Sequence, residues 1–353
     1  MTEESGRNLR TSAMSISGRD SKEAVFWARE GGKVRCSLCP HNCLLADGKR
    51  GLCGVRENRG NTLYSLIYGK ASSINPDPIE KKPLFHFLPG STSISFGSIG
   101  CNLFCMHCQN WSISKAKYGQ IGLTDITPED VVRYARNSSA KSVSWTYNEP
   151  TIWHEFTTEA SKVAHSAGLK TNYVTNGYIN EEPLRDLKGV IDAMNIDVKG
   201  FTESFYKNVC GGKLAPVLRS CEVALEMGIH VELTYLVIPD HNDKDDELSG
   251  FCNWVSQSLG EEIPVHFSAF HPDYKLTSVP QTSEKSLAKA YDLAKKEGLE
   301  FVYLGNIQAS DRDDTFCPKC GTKVVDRDGF RVRDTQLKGD RCAKCGAFLN
   351  IVI

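Results

Sequence analysis

Between residues 91 and 305 the chain alternates short runs of β-branched, aromatic and aliphatic residues with longer amphipathic stretches. The runs SISFGSI (93–99), SVSWT (142–146), TNYVTN (171–176), AMNIDV (193–198), VELTYLVI (231–238), VHFSAF (265–270) and FVYLG (301–305) have strand length and turn residues around them. Between them, TPEDVVRYARN, TIWHEFTTEASKVAHSAG, PVLRSCEVALEMG and SEKSLAKAYDLAKKEG repeat apolar residues at helical spacing. Thr127 before Pro128 reads as an N-cap with proline at the first helical position. Gly168, Gly228 and Gly298 each close a helix just before the next strand. Repeated strand–helix–strand units predict an α/β fold with a parallel sheet, open and doubly wound or curled into a full or partial barrel. In either form ligands gather at the C-terminal ends of the strands.

The flanks break this pattern. Residues 1–30 read as a disordered tail, opening with MTEESGRNLRTSAMSISGRD, which is polar and lacks the apolar centre of a signal peptide. Residues 31–90 are turn-rich and carry cysteines; residues 91–310 form the α/β domain; residues 311–353 carry further cysteines among glycines and basic residues. Apolar residues are 40% of the 353, enough for a sizeable core, and 42 lysines and arginines balance 43 aspartates and glutamates. That balance gives no reason to expect a nucleic acid or an anionic membrane as partner. No apolar run approaches the roughly 18 residues that span a bilayer, so a cytoplasmic protein is expected.

Fourteen cysteines change the picture. Eleven fall into three clusters: Cys36, Cys39, Cys43 and Cys53; Cys101, Cys105 and Cys108; Cys317, Cys320, Cys342 and Cys345. In a reducing compartment such clustering points to metal rather than disulfides. Cys210, Cys221 and Cys252 stand apart and read as buried structural thiols.

The central set, GCNLFCMHCQN (100–110), begins two residues beyond the first strand, where an α/β site belongs. Spacings of four and three residues let three thiolates wrap one cubane and hold three of its irons. His107 lies between two of those ligands and would point away from a cluster they share. The fourth iron is then open to an external ligand.

CxxxCxxC after the first strand of a (β/α) barrel resembles the signature of radical S-adenosylmethionine (SAM) enzymes. The resemblance implies a partial (β/α)6 TIM-type barrel and a 4Fe-4S cluster on Cys101, Cys105 and Cys108, whose open iron is chelated by the amino and carboxylate groups of SAM. Reductive cleavage then releases a 5′-deoxyadenosyl radical that abstracts hydrogen. Further motifs follow it along the strand ends. TYNEP (146–150) stands where the family has a glycine-rich, glutamate-ending segment for the methionine amino group; Glu149 matches, with Tyr147 and Asn148 in place of glycines. VTNGY (174–178) and NIDVKG (195–200) are similar to the glycyl-radical-enzyme activases of the pyruvate formate-lyase type. That similarity implies cofactor contacts at Thr175, Asn176, Asp197 and Lys199 to ribose, methionine carboxylate and a monovalent cation. His271 in SAFHP matches a histidine near the cofactor, and His107 takes the position of an aromatic residue that packs on adenine.

Taken singly these residues have plainer readings: Asp197 and Lys199 as a surface ion pair, Asn176–Gly177 as a turn, His271 as a loop histidine, Glu149 as the residue before a helix. Together they fall past strand C-termini on the side of the three cysteines.

CSLCPHNCLLADGKRGLCGVR (36–56) supplies four thiols, able to close a metal shell without an outside ligand, as an auxiliary iron–sulfur cluster or structural zinc; His41 is a substitute ligand. CPKCG and CAKCG, 21 residues apart, form two knuckles of a zinc ribbon on Cys317, Cys320, Cys342 and Cys345. Residues 317–353 hold eight basic residues against four aspartates, a small excess that favours a structural staple over a docking site for an acidic partner or nucleic acid.

CSLCPHNC…GLCGVR, CNLFCMHCQN and TYNEPT together resemble the AmmeMemoRadiSam-system radical enzymes, over roughly residues 33–310. That resemblance implies Memo-type and AMMECR-type partner proteins. An electron donor of the flavodoxin or ferredoxin kind and a polypeptide or small-molecule substrate are expected. Two further readings remain: a glycyl-radical-enzyme activase, and a non-catalytic iron–sulfur or zinc protein that carries electrons.

Overall fold

The computed structural model describes residues 21–307 and 311–353. Most of the tail expected over 1–30 lies outside the described residues. Its last part differs from expectation: Lys22–Glu23 and Trp27–Glu30 are strands.

The centre is an eight-stranded sheet whose spatial order follows the chain. Its strands are β1 (Ser73–Pro78), β2 (Thr92–Gly97), β3 (Ser142–Trp145), β4 (Lys170–Thr175), β5 (Ala193–Asp197), β6 (His230–Val237), β7 (Val265–Ala269) and β8 (Val302–Gly305). β2 to β8 are parallel and are the seven runs read as strands, one more than the six-unit barrel that the resemblance implied, and β1 adds an antiparallel edge to β2. β1 escaped the sequence reading because Pro76 and Pro78 sit within it; a proline cannot donate to a ladder and is tolerated on an edge strand. The sheet therefore starts inside the stretch expected to be a separate module over 31–90.

The main crossover helices are α1 (Pro128–Asn137), α2 (His154–Ser166), α3 (Leu214–Glu226), α4 (Asp245–Trp254) and α5 (Glu284–Lys296). α1 starts in a capping box: Thr127 accepts from the Asp130 amide, and the Asp130 carboxylate accepts from the Thr127 amide. Gly168, Gly228 and Gly298 end α2, α3 and α5 with positive φ, as read.

Alternation along the strands explains the two faces. Ile94, Phe96, Val143, Trp145, Tyr173, Met194 and Leu233 join the hydrophobic core with the helices. Trp145 meets Trp153 edge-on, and Trp153 stacks on Phe156, before and within α2. The alternate positions are polar and equally buried: Ser93 bonds Ser144 at 2.6 Å, Thr234 donates to Asn195, and His266 meets Glu232 at 2.7 Å. Residues 83–86 cover this polar face, the Pro83 carbonyl accepting from Asn195 and the amides of Phe85 and His86 donating to Glu232.

The same segment seats the C-terminal module. Three antiparallel strands, Thr315–Phe316, Lys323–Asp328 and Arg331–Thr335, pack Val324 and Val325 with Phe85, Phe301 and Tyr303. Buried Arg327 donates to the Phe85 carbonyl and to Thr315 Oγ1, both at 2.7 Å. At the other end, hairpins from residues 22–65 dock on α2 through a buried Arg56–Glu155 ion pair at 2.7 Å.

Candidate active site

The loop after β2 carries Cys101, Cys105 and Cys108 and is pinned to distant chain. The amides of Phe104 and Met106 donate to the carbonyls of Cys210 and Val209, and the Lys115 ammonium donates to the Leu103 carbonyl. Gly100 turns the chain into this loop at φ 84°; a Cβ there would lie 2.6 Å from the Cys53 carbonyl oxygen.

Each of the three thiols has a neighbouring donor. Cys101 Sγ accepts from the Leu103 amide at 3.4 Å and from Asn176 Nδ2 at 3.6 Å. The neighbouring Cys210 thiol draws the Cys105 thiol down to about 7 against the effect of burial. Cys108 meets the Ser114 hydroxyl. Burial pushes the Cys101 and Cys108 thiols up. Buried thiolates with donors aimed at sulfur suit a cationic iron–sulfur core, which repays the cost of burying their charge. The fit extends to His107, buried at 4% exposure with neither ring nitrogen partnered by protein and its pKa lowered to about 3 by burial. A neutral ring with two unpaired nitrogens leaves hydrogen-bonding capacity for a bound molecule.

The strand ends bring Glu149, Thr175, Asn176, Asp197 and Lys199 to the same place. Glu149, 2% exposed, ties β3 to β4: its Oε1 accepts from Thr175 Oγ1 at 2.7 Å and the Thr151 amide at 2.9 Å, and its Oε2 accepts from the Asn176 amide at 2.8 Å. Burial raises its pKa over the opposing hydrogen bonds from Asn176, Thr175 and Thr151. Asn148 braces the cysteine loop, accepting from the Ser98 amide and donating to the Gly100 carbonyl. Past β5, Lys199 pairs with Asp197 at 2.7 Å. Burial acts to lower the Lys199 pKa, but Asp197 and Cys105 together hold it above its ordinary value. His271 lies partly exposed in the loop after β7.

Several contributors were not singled out in the sequence. Asn102 links Asn176 to the Tyr178 carbonyl. Asn242 donates to the Lys199 carbonyl, and Tyr206 accepts from the Lys199 amide. Cys210 was read as an isolated structural thiol, and only the fold brings it to Cys105. Cys221 and Cys252 are fully buried in α3 and α4, as read.

The profile of the radical SAM superfamily matches residues 97–252, the span from the end of β2 into α4. The uncharacterized protein MJ0808 of Methanocaldococcus jannaschii is 44% identical over 335 residues, 94% of this chain and 100% of that one. The chain belongs to the radical SAM superfamily. Membership implies an enzyme with a 4Fe-4S cluster and SAM, and the donors around Cys101, Cys105 and Cys108 fit that cluster. The superfamily's α/β fold, with a mostly parallel sheet, is the one seen here. The benzylsuccinate synthase activating enzyme of Thauera aromatica is 21% identical over 188 residues, 49% of this chain and 56% of that one. A domain of a pyruvate-formate lyase-activating enzyme from Bacteroides vulgatus superposes with a TM-score of 0.42 at 14% identity, covering 47% of this chain and 100% of that one.

The other two cysteine sets differ in geometry. Cys317, Cys320, Cys342 and Cys345 have all four sulfurs within 4.8 Å of one another, with Cys317–Cys345 at 3.5 Å and Cys320–Cys342 at 3.8 Å. A tetrahedral ion with metal–sulfur bonds of about 2.3 Å sets its sulfurs about 3.8 Å apart, so this set fits a single ion. Cys36, Cys39, Cys43 and Cys53 line one cavity with Arg56 and His41. No helix among the described residues is long and apolar enough to cross a membrane.

Proposed function

We propose that this radical SAM protein abstracts hydrogen from a peptide, protein or small-molecule substrate held over the C-terminal ends of the sheet. The observation that carries the reading is the convergence of three cysteines, Cys101 with donors at its sulfur and Cys105 and Cys108 beside Cys210 and Ser114, on the strand-end residues Glu149, Asn176, Asp197 and Lys199. When bound, the cluster and SAM supply reductive cleavage of the sulfonium to a 5′-deoxyadenosyl radical. The chain's own residues hold and orient. Cys101, Cys105 and Cys108 ligate three irons, and Asn176 and Cys210 damp the charge on two of the sulfurs. Glu149 and Thr175 set the floor on which the methionine end rests, and Asn148 keeps the cysteine loop against it. Asp197 and Lys199 present one charge of each sign, suited to a carboxylate and to a ribose or monovalent cation. His107 and His271 serve the adenosine side.

The C-terminal set holds zinc as a structural staple, a reading supported by its single-ion sulfur spacing and by its packing on Phe85 and Tyr303. The chain acts in the cytoplasm with Memo-type and AMMECR-type partners and a flavodoxin or ferredoxin as electron donor. A second reading, activation of a glycyl-radical enzyme, is favoured by the match to the benzylsuccinate synthase activating enzyme.

The test is anaerobic. The reconstituted chain is given SAM and a strong reductant, and 5′-deoxyadenosine is quantified by mass spectrometry, with Cys105→Ala as control. Product from the wild type alone is expected, and no product from a fully loaded chain would overturn the reading. An oxygen-cleavable glycyl radical on a partner would decide for the activase.

A further inference from the structure

Three cysteine sets in one chain need not hold the same thing, and sulfur spacing separates them. In the C-terminal ribbon all four sulfurs lie within 4.8 Å of one another; among the described residues that spacing is met there alone. The sulfurs of Cys101, Cys105 and Cys108 do not meet it, and a polynuclear cluster does not ask them to, because each of its thiolates sits on a different iron. Among Cys36, Cys39, Cys43 and Cys53, too, no three sulfurs meet the single-ion spacing, although all four residues line one cavity. Gly51 borders it closely: a Cβ there would meet Cys53 Sγ at 3.7 Å and Cys43 Sγ at 3.8 Å.

Arg56 lines the same cavity and is 1% exposed. One guanidinium nitrogen, Nη2, is engaged by Glu155 and the Val25 carbonyl, while Nε and Nη1 are buried with no protein partner. Buried donors left unpaired are costly, and the acceptors missing from the protein are ones that bridging sulfides and thiolates provide. His41 is not available as a replacement ligand through Nε2, which donates to the Asn102 carbonyl at 2.7 Å. That bond and the contact of Gly100 with the Cys53 carbonyl set this site directly against the catalytic loop.

We propose that Cys36, Cys39, Cys43 and Cys53 hold a second, fully protein-ligated iron–sulfur cluster of four irons, with Arg56 donating its free N–H groups to the cluster sulfurs. The proposal stands apart from the catalytic reading, because it is tested in a chain that cannot assemble the catalytic cluster.

The full chain carrying Cys101→Ala, Cys105→Ala and Cys108→Ala together is reconstituted anaerobically with iron and sulfide. Iron, acid-labile sulfide and zinc are then counted per chain, and the reduced sample is examined by electron paramagnetic resonance. About four irons and four sulfides should remain, one zinc should be present, and reduction should produce a cluster signal. Adding Cys39→Ser should remove that signal without changing the zinc count. A folded triple variant with no iron and two zinc ions would overturn the proposal, making the site structural zinc. Arg56→Lys keeps the positive charge toward Glu155 but loses the fork of N–H donors. The midpoint potential of the retained cluster should move to more negative values, and an unchanged potential would remove Arg56 from the site. If Arg56→Lys does not fold, the metal count of the triple variant still decides.

Discussion

Removing the acceptors of Glu149 should loosen the whole floor of the catalytic site. The carboxylate is 2% exposed and holds two backbone amides and one hydroxyl, from Thr151, Asn176 and Thr175. In Glu149→Gln the side-chain oxygen can still serve Thr151 and Thr175, but the new NH2 faces the Asn176 amide. One buried N–H loses its partner, a cost of about 1–3 kcal/mol. In Glu149→Ala both amides and the hydroxyl are orphaned. The gross cost is roughly 2–6 kcal/mol for the two amides, partly offset because a carboxylate no longer has to be buried. A net loss of about 2–4 kcal/mol is expected.

Urea unfolding followed by tryptophan fluorescence reads this directly, since Trp145 and Trp153 lie in the core beside the site. The pH dependence gives an independent check. The raised Glu149 pKa means the folded chain binds that proton more tightly than the unfolded chain. Stability contributed by this group is therefore greatest below its ordinary value of 4.5 and falls as pH rises from there through the raised value. Glu149→Gln should lack that component of the slope. An Ala variant within about 0.5 kcal/mol of wild type, the range of an ordinary surface change, would refute the assignment of Glu149 as the tie between β3 and β4.

Cys210→Ala should keep the iron of the catalytic cluster but shift its midpoint potential to more negative values, because Cys105 loses a donor; an unchanged potential in a spectroelectrochemical titration would show that the Cys210 thiol does not reach it. Gly100→Ala forces a side chain at φ 84° against the Cys53 carbonyl, a conformational cost of about 1–3 kcal/mol with the clash in addition. Denaturant titration should show it, and wild-type stability would rule out the close approach. Cys320→Ser with Cys345→Ser should release one zinc per chain and raise amide exchange across residues 312–353. Full protection there after zinc loss would show that packing on Phe85 and Tyr303 holds the module without metal.

The strand and helix pattern of the centre was legible because both periodicities run long enough to be unmistakable: residues 142–145, 193–197 and 265–269 are strands where the apolar runs stood. The edge strand Ser73–Pro78 was not, since its prolines argue against a strand unless its edge position is known. The same limit hid the strands at residues 22–30, two and four residues long in a polar context.

For the site, sequence alone determined the three cysteine sets, the loop that carries the central one, and the strand-end positions of Glu149, Asn176, Asp197 and Lys199. These are local facts: spacing along a loop, or a place just past a strand, survives whatever the chain does elsewhere. Tertiary structure decided the partners. Cys210 reaches Cys105 across about a hundred residues of chain, Glu149 spends its oxygens on the end of the next strand, and Arg56 is buried with two unpartnered nitrogens beside the cavity that four cysteines line. It also separated the cysteine sets: among the described residues, single-ion sulfur spacing is met at the C-terminal set and not at the N-terminal one. Distances between sulfurs on separate hairpins follow from how those hairpins pack, and no spacing along the chain encodes them.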